Sequence, residues 1–123
     1  MKKDHSATTI SEIRPLTEQE TQLVKWLIDH GEPEAEPFAS QLPQLSVVAK
    51  CSCGCASVDF AVNGQTPSPE GGMRILSDHF WRTKPGELFG IFLFAKDGFL
   101  AGIDLWSIDG KGTATTLPSV NDL

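Results

Sequence analysis

The sequence predicts an α+β fold, with an N-terminal helix and a short second helical turn packed on a mostly antiparallel meander of four or five strands. Three observations carry this expectation. Apolar residues recur with helical spacing over 17–30, the pattern changes to apolar–polar alternation after Pro43, and the alternating runs are joined by short or turn-rich connections.

The elements follow in order. Residues 1–13 are polar and lack a period, so they are assigned to a mobile N-terminal segment, with the domain itself at 14–110 and a tail at 111–123. Thr17 and Glu20 form a T-x-x-E capping box, in which each side chain satisfies an amide of the first turn. Leu23, Val24, Trp26, Leu27 and Ile28 then share one face of a helix over about 17–30, and Gly31 suits its C-terminal stop. Pro37 suits the first position of a helical turn running to about Leu42. Strands are expected over 45–50, 57–62, 73–81, 89–95 and 99–107. The loop at 64–72 is marked by its glycines and prolines.

Asp97-Gly98 is a strong hairpin signal, but it leaves two registers open. A two-residue turn places Phe92, Phe94, Ile103 and Leu105 on one face and Ile91, Leu93, Asp104 and Trp106 on the other. A three-residue turn with a bulge at Gly98 shifts the second strand and exchanges the partners. Either way both faces of the sheet around 89–95 are apolar, and one helix covers only one of them.

At 123 residues the chain is long enough for one domain with a core of its own. The net charge is −6, and the ten basic residues are scattered rather than clustered, which argues against nucleic acid and anionic membrane as partners. Met1-Lys2-Lys3 is followed by polar residues where a signal peptide would be apolar, and the near-apolar run at 88–95 is far too short to span a bilayer. An odd number of cysteines without an export signal points to free thiols in a reducing cytosol, so the expected location is cytoplasmic.

The chemically distinctive segment is Cys51-Ser52-Cys53-Gly54-Cys55. In a straight strand alternate residues lie about 6.6 Å apart, whereas thiolates sharing one zinc must lie within roughly 4 Å. A turn at Gly54 between arms 47–51 and 56–60 would bring the sulfurs together. Three thiols leave a tetrahedral site one ligand short, with His79 the first choice for the fourth and His30, Asp59 and Asp78 as others. A reactive thiol and small buried side chains filling a tight hairpin are the competing readings. Zinc is therefore an alternative cofactor beside the expectation of none.

No phosphate-cradling glycine loop, nucleophile elbow or H-E-x-x-H helix occurs, so an enzyme is the less favoured class. Trp81, Arg82, Phe92, Phe94, Asp104 and Trp106 are the interface candidates, because Trp and Arg are enriched at hot spots and surplus apolar sheet marks interfaces.

Arg14-Pro15-Leu16-Thr17, Trp26-Leu27-Ile28, Cys51-x-Cys53-Gly54-Cys55-x-Ser57 and the Lys96-Asp97-Gly98 hairpin together resemble a group of small, uncharacterised bacterial proteins. The likeness covers about residues 14–109. It implies a bacterial, stand-alone cytoplasmic domain and carries over no catalytic or binding residue.

The functional expectation is a non-enzymatic protein-binding module, an inhibitor- or immunity-type partner or a homodimer, using an apolar sheet face rimmed by acids. The alternative is a zinc-binding or thiol-redox protein built on Cys51, Cys53 and Cys55 with His79.

Overall fold

The computed structural model describes residues 9–68 and 70–123. It is α+β, with strands β1 (Thr9–Pro15), β2 (Leu45–Cys51), β3 (Val58–Val62), β4 (Met73–Arg82), β5 (Leu88–Lys96) and β6 (Phe99–Ser107). The helix α1 (Glu18–Asp29) and a 3-10 segment (Pro33–Gln44) lie between β1 and β2. The strands form one antiparallel sheet of six in the order β1-β2-β3-β6-β5-β4, one or two more than the sequence predicts.

The additional strand is β1, inside the segment expected to be mobile; residues 1–8 of that segment lie outside the described residues. Its pattern is inverted for a half-buried strand. Ile10 and Ile13 are exposed, while Glu12 and Arg14 are half-buried. Pairing with β2, from Thr9 opposite Cys51 to Pro15 opposite Ser46, makes it a strand, and no local apolar period announces that.

Helix α1 starts as its capping box dictates. Thr17 Oγ1 accepts from the Glu20 amide at 3.1 Å, and Glu20 Oε1 accepts from the Thr17 amide at 2.8 Å. Leu23, Val24, Leu27 and Ile28 are buried against the sheet, each contributing roughly 1.5–3 kcal/mol of transfer free energy. The next residue needed beyond the helix is Gly31, for a reason other than a left-handed turn. A Cβ there would run into the Leu76 carbonyl and Ser77 of β4, so the helix end is pressed against that strand. The 3-10 segment is longer than the turn expected at 37–42, and Pro37 and Pro43 inside it remove the amides a continuous α-helix would need.

The 97–98 turn has two residues, both at positive φ, with Lys96 opposite Phe99. A bulge then falls between Phe94 and Ala95 pairing, so Phe94 meets Gly102 while Ala95 meets Leu100. The two registers the sequence left open are thus combined. Ile91 and Leu93 share the covered face with Leu105 and Ile103, and Phe92 and Phe94 share the opposite face with Asp104 and Gly102.

The covered face holds the main core, from Leu23 and Leu27 of α1 to Phe60, Leu76, Ile91, Leu93, Ile103 and Leu105. Residues 111–123, expected to be a tail, belong to the domain. Ala114 is buried and its carbonyl accepts from the Ala56 amide at 2.8 Å, while Leu117, Val120 and Leu123 pack on the core. The opposite face closes on itself with a small cluster of Phe92, Phe94, Ala101 and Trp106. Glycines on the neighbouring strands let the rings lie flat: a Cβ at Gly90 would fall inside the Trp106 indole, and one at Gly102 would meet the Phe94 ring at 2.9 Å. Among the described residues no helix is long and apolar enough to cross a membrane.

Arg14 makes a paired hydrogen bond to the nearly buried Glu20 carboxylate, Nη1 to Oε1 at 2.8 Å and Nη2 to Oε2 at 2.9 Å. Burial favours neutral Glu20, but the Arg14 bonds and the Thr17 amide outweigh it and hold the carboxyl below its ordinary pKa. A carboxyl whose folded pKa is depressed adds stability above its unfolded value, about 4.3, and loses it as pH falls through the lower, folded value. Replacing Arg14 by methionine is therefore expected to cost about 2 kcal/mol near pH 7. The gap to the parent should narrow towards pH 3, as urea unfolding at the two pH values will read.

Candidate metal centre

The cysteine segment forms the connection of the β2–β3 hairpin, as the arms at 47–51 and 56–60 predict. The Cys51 amide donates to the Ser57 carbonyl at 3.3 Å, closing the loop, and Gly54 takes φ 92°, which a side chain would resist. This reversal turns three alternating thiols inward on one another. Their sulfurs all lie within 4.8 Å, with Cys51 Sγ and Cys53 Sγ 2.9 Å apart and no disulfide formed. Cys51 is buried, Cys55 half-buried and Cys53 exposed, so the cluster spans the boundary between core and solvent.

Zinc–sulfur bonds of about 2.3 Å in a tetrahedron set sulfurs about 3.8 Å apart, within the span of this triangle. The Cys55 amide donates to Cys53 Sγ at 3.3 Å. Cys55 Sγ donates to Ser57 Oγ at 3.2 Å. Ser57 is fully buried; its hydroxyl donates to Asp104 Oδ1 at 2.9 Å and accepts from the Leu105 amide at 2.7 Å. Cys55 is thus tied through Ser57 to β6 at the middle of the sheet.

A cleft of about 340 Å³ opens beside Cys55 and Ser57, walled by Glu12, Arg14, Glu20 and Lys50. Its charges are paired across it. Arg14 Nε donates to Glu12 at 2.8 Å and Lys50 Nζ lies 3.1 Å from the same carboxylate. These two cations hold the Glu12 pKa below its ordinary value.

His79, the sequence's choice for a fourth ligand, is elsewhere. It sits on β4, the opposite edge strand from β1, with β6 and β5 between β4 and the thiol hairpin. Its Nε2 lies 3.2 Å from the His30 carbonyl and 3.1 Å from Ser77 Oγ, and its ring meets Trp26 edge-on at 4.8 Å. His30 stacks on the same Trp26 at 4.0 Å and its Nδ1 lies 2.9 Å from the Trp26 carbonyl. Both histidines therefore pin the end of α1 to β4. Among the described residues, the group of potential ligands meeting at the site consists of the three cysteines.

The interface candidates also divide. Trp81 is 6% exposed, packed on Phe89 at 5.5 Å, and Phe92, Phe94 and Asp104 are 2%, 5% and 1% exposed. These four are inside the fold: Trp81 lies in the main core against Phe89, Phe92 and Phe94 pack on each other at 5.8 Å, and Phe94 lies over Gly102. Arg82 is exposed, donating to the Gly86 carbonyl at 2.8 Å, and Trp106 is half-buried over Gly90. Among the described residues, five of the six large exposed apolar side chains fall instead on the edge strands, Ile10 and Ile13 of β1 and Met73, Ile75 and Phe80 of β4, and the sixth, Ile108, follows β6.

Ser57, Arg14 and Lys50 are the site residues that sequence reasoning did not assign. A buried serine opening an apolar strand is a local signal for Ser57, but its partners lie 47 and 48 residues away. Comparison with protein-family models, with curated proteins and with solved structures finds no match to this chain.

Proposed function

We propose that this chain is a metal-binding protein that holds a thiophilic cation of the zinc type through the thiolates of Cys51, Cys53 and Cys55. The observation that carries the reading is the meeting of three cysteine sulfurs within 4.8 Å at a single hairpin. Soft thiolates select such ions over hard cations such as magnesium or calcium. Three ligands leave one position of a tetrahedral ion to a group beyond the cluster. Ser57 supports the reading as a hydroxyl 3.2 Å from the Cys55 sulfur that can turn its proton to the thiolate once the thiol proton has left, and the Cys55 amide as a donor to Cys53 sulfur. Thiols of this kind fit a reducing compartment such as the cytosol. The role is binding, and no reaction is assigned to it.

Protein purified without chelator should carry about one zinc per chain by elemental analysis. Cobalt substitution should produce sulfur-to-metal charge-transfer absorption. Cys53→Ser, chosen because Cys53 is exposed and its loss leaves the core intact, should abolish both signals with an unchanged circular dichroism spectrum. Coordination releases the thiol protons, so affinity should rise with pH towards the ordinary thiol pKa of about 8.5. A folded protein that takes up neither zinc nor cobalt at pH 8 overturns the reading.

A further inference from the structure

We propose that Cys51 and Cys53 form a dithiol–disulfide couple that exchanges with small disulfides of the glutathione type, with Cys53 as the attacking sulfur and Cys51 as the resolving one. The activity uses two sulfurs of the proposed metal site, but it needs no metal. It therefore stands or falls apart from zinc binding.

Burial divides the work between the two sulfurs. Cys53 is exposed in the β2–β3 connection, where an incoming disulfide can reach it. Cys51 is the last residue of β2 and 3% exposed, so a bulky reagent cannot touch its sulfur directly. Its thiol nevertheless lies 2.9 Å from Cys53 Sγ, closer than two sulfurs rest in ordinary van der Waals contact. In a straight strand the two residues would stand about 6.6 Å apart. The reversal at Gly54, with φ 92°, and the Cys51 amide bond to the Ser57 carbonyl hold them together instead. A mixed disulfide formed on Cys53 is thus met by Cys51 at once, as an intramolecular reactant already in place. Cys55 is set apart within the cluster, because it is half-buried and directs its thiol to Ser57 Oγ at 3.2 Å.

Exchange runs in two displacements. Cys53, as the thiolate, attacks one sulfur of the small disulfide. A bond forms to Cys53 Sγ, the S–S bond of the reagent breaks, and one half leaves as a thiolate that takes up a proton. Cys51 then loses its proton and attacks Cys53 Sγ, and the second half leaves as a thiolate that takes up that proton. One small disulfide has been reduced to two thiols, and Cys51 and Cys53 have been oxidised to one disulfide. That bridge encloses a single residue, Ser52. Constrained bridges are the labile ones, so the reaction runs backward when the reduced small thiol is in excess.

The test exposes the whole protein, in buffer containing a chelator, to oxidised glutathione. Acid quenching, alkylation and mass spectrometry then locate each sulfur's state. The parent should bridge Cys51 to Cys53 and leave Cys55 alkylated, and excess reduced glutathione should return all three thiols. Cys51→Ala removes the resolving sulfur, so Cys53 should keep its glutathionyl group at a level about tenfold or more above the parent's. In Cys53→Ser, Cys51 should stay a thiol. A parent bridge that involves Cys55, a glutathionyl group that persists on Cys53 of the parent, or no reaction at all overturns the proposal. So does Cys51 oxidised as readily in Cys53→Ser as in the parent. Circular dichroism checks that the variants fold, and the parent's own map decides the pairing if Cys51→Ala does not.

Discussion

Ser57→Ala should lower stability by about 3 kcal/mol, one of the two largest effects expected of a single small substitution in this protein. The hydroxyl has no exposed surface and serves three partners at once. It accepts from the Leu105 amide at 2.7 Å, donates to Asp104 Oδ1 at 2.9 Å and receives the Cys55 thiol at 3.2 Å. Alanine keeps the packing volume nearly unchanged but withdraws the acceptor of a buried amide and a donor to a buried carboxylate. Each such loss costs about 1–3 kcal/mol when water cannot enter. Urea unfolding should show a midpoint lower by about 1–2 M at unchanged slope. The same variant should bind zinc about tenfold more weakly, because the hydroxyl beside the Cys55 sulfur is the donor that can turn to the thiolate once the thiol proton has left. A stability change below about 0.5 kcal/mol would mean that water takes the place of the hydroxyl and that the contact network is not rigid.

Gly102→Ala should be comparably damaging, at about 3 kcal/mol, for a steric reason. The sheet consists of two three-stranded halves, and β3 meets β6 through only two paired positions, Val58 with Ile103 and Asp59 with Gly102. A Cβ on residue 102 would stand 2.5 Å from the Val58 carbonyl oxygen and 2.9 Å from the Phe94 ring. The first obstacle is backbone and cannot rotate away, so the methyl must part the seam. Gly72→Ala is the matched control, since nothing lies within 4 Å of a Cβ there and its φ is ordinary. That change should be neutral or stabilising by about 0.5 kcal/mol through the unfolded chain. Thermal unfolding of the two variants side by side separates the effects. Equal melting temperatures would show that the β3–β6 seam yields without cost.

The two predictions concern one place, where Ser57 and Gly102 join the halves of the sheet, and neither residue reveals that role locally. Helix α1 was legible because its determinants lie within four residues of one another: Thr17 and Glu20 satisfy each other's amides, and Leu23, Val24, Leu27 and Ile28 repeat at helical spacing. The Asp97-Gly98 turn was legible for the same reason, since both residues tolerate the positive φ a tight hairpin requires. The Cys51–Cys55 reversal followed from Gly54 and from its alternating arms. The bulge opposite Phe94 did not follow from either arm. It decides that Ile103 and Leu105, rather than Asp104, enter the main core.

Local chemistry along the chain by itself determined the helix with its cap, the strand-forming segments, the tight turns and the closeness of three thiols. It also determined that both faces of β5 are apolar. Tertiary structure alone decided which strands are neighbours. It made β1 a strand by pairing it with β2, drew residues 111–123 into the core and placed His79 far from the cysteines. It also buried Phe92 and Phe94 while leaving Phe80 in solvent. The division has a physical cause. Caps, turns and periodicity act between residues a few positions apart, where the chain's own stereochemistry limits the choices. Strand order and side-chain burial depend on contacts across dozens of residues, and these are selected only when the whole sheet assembles at once.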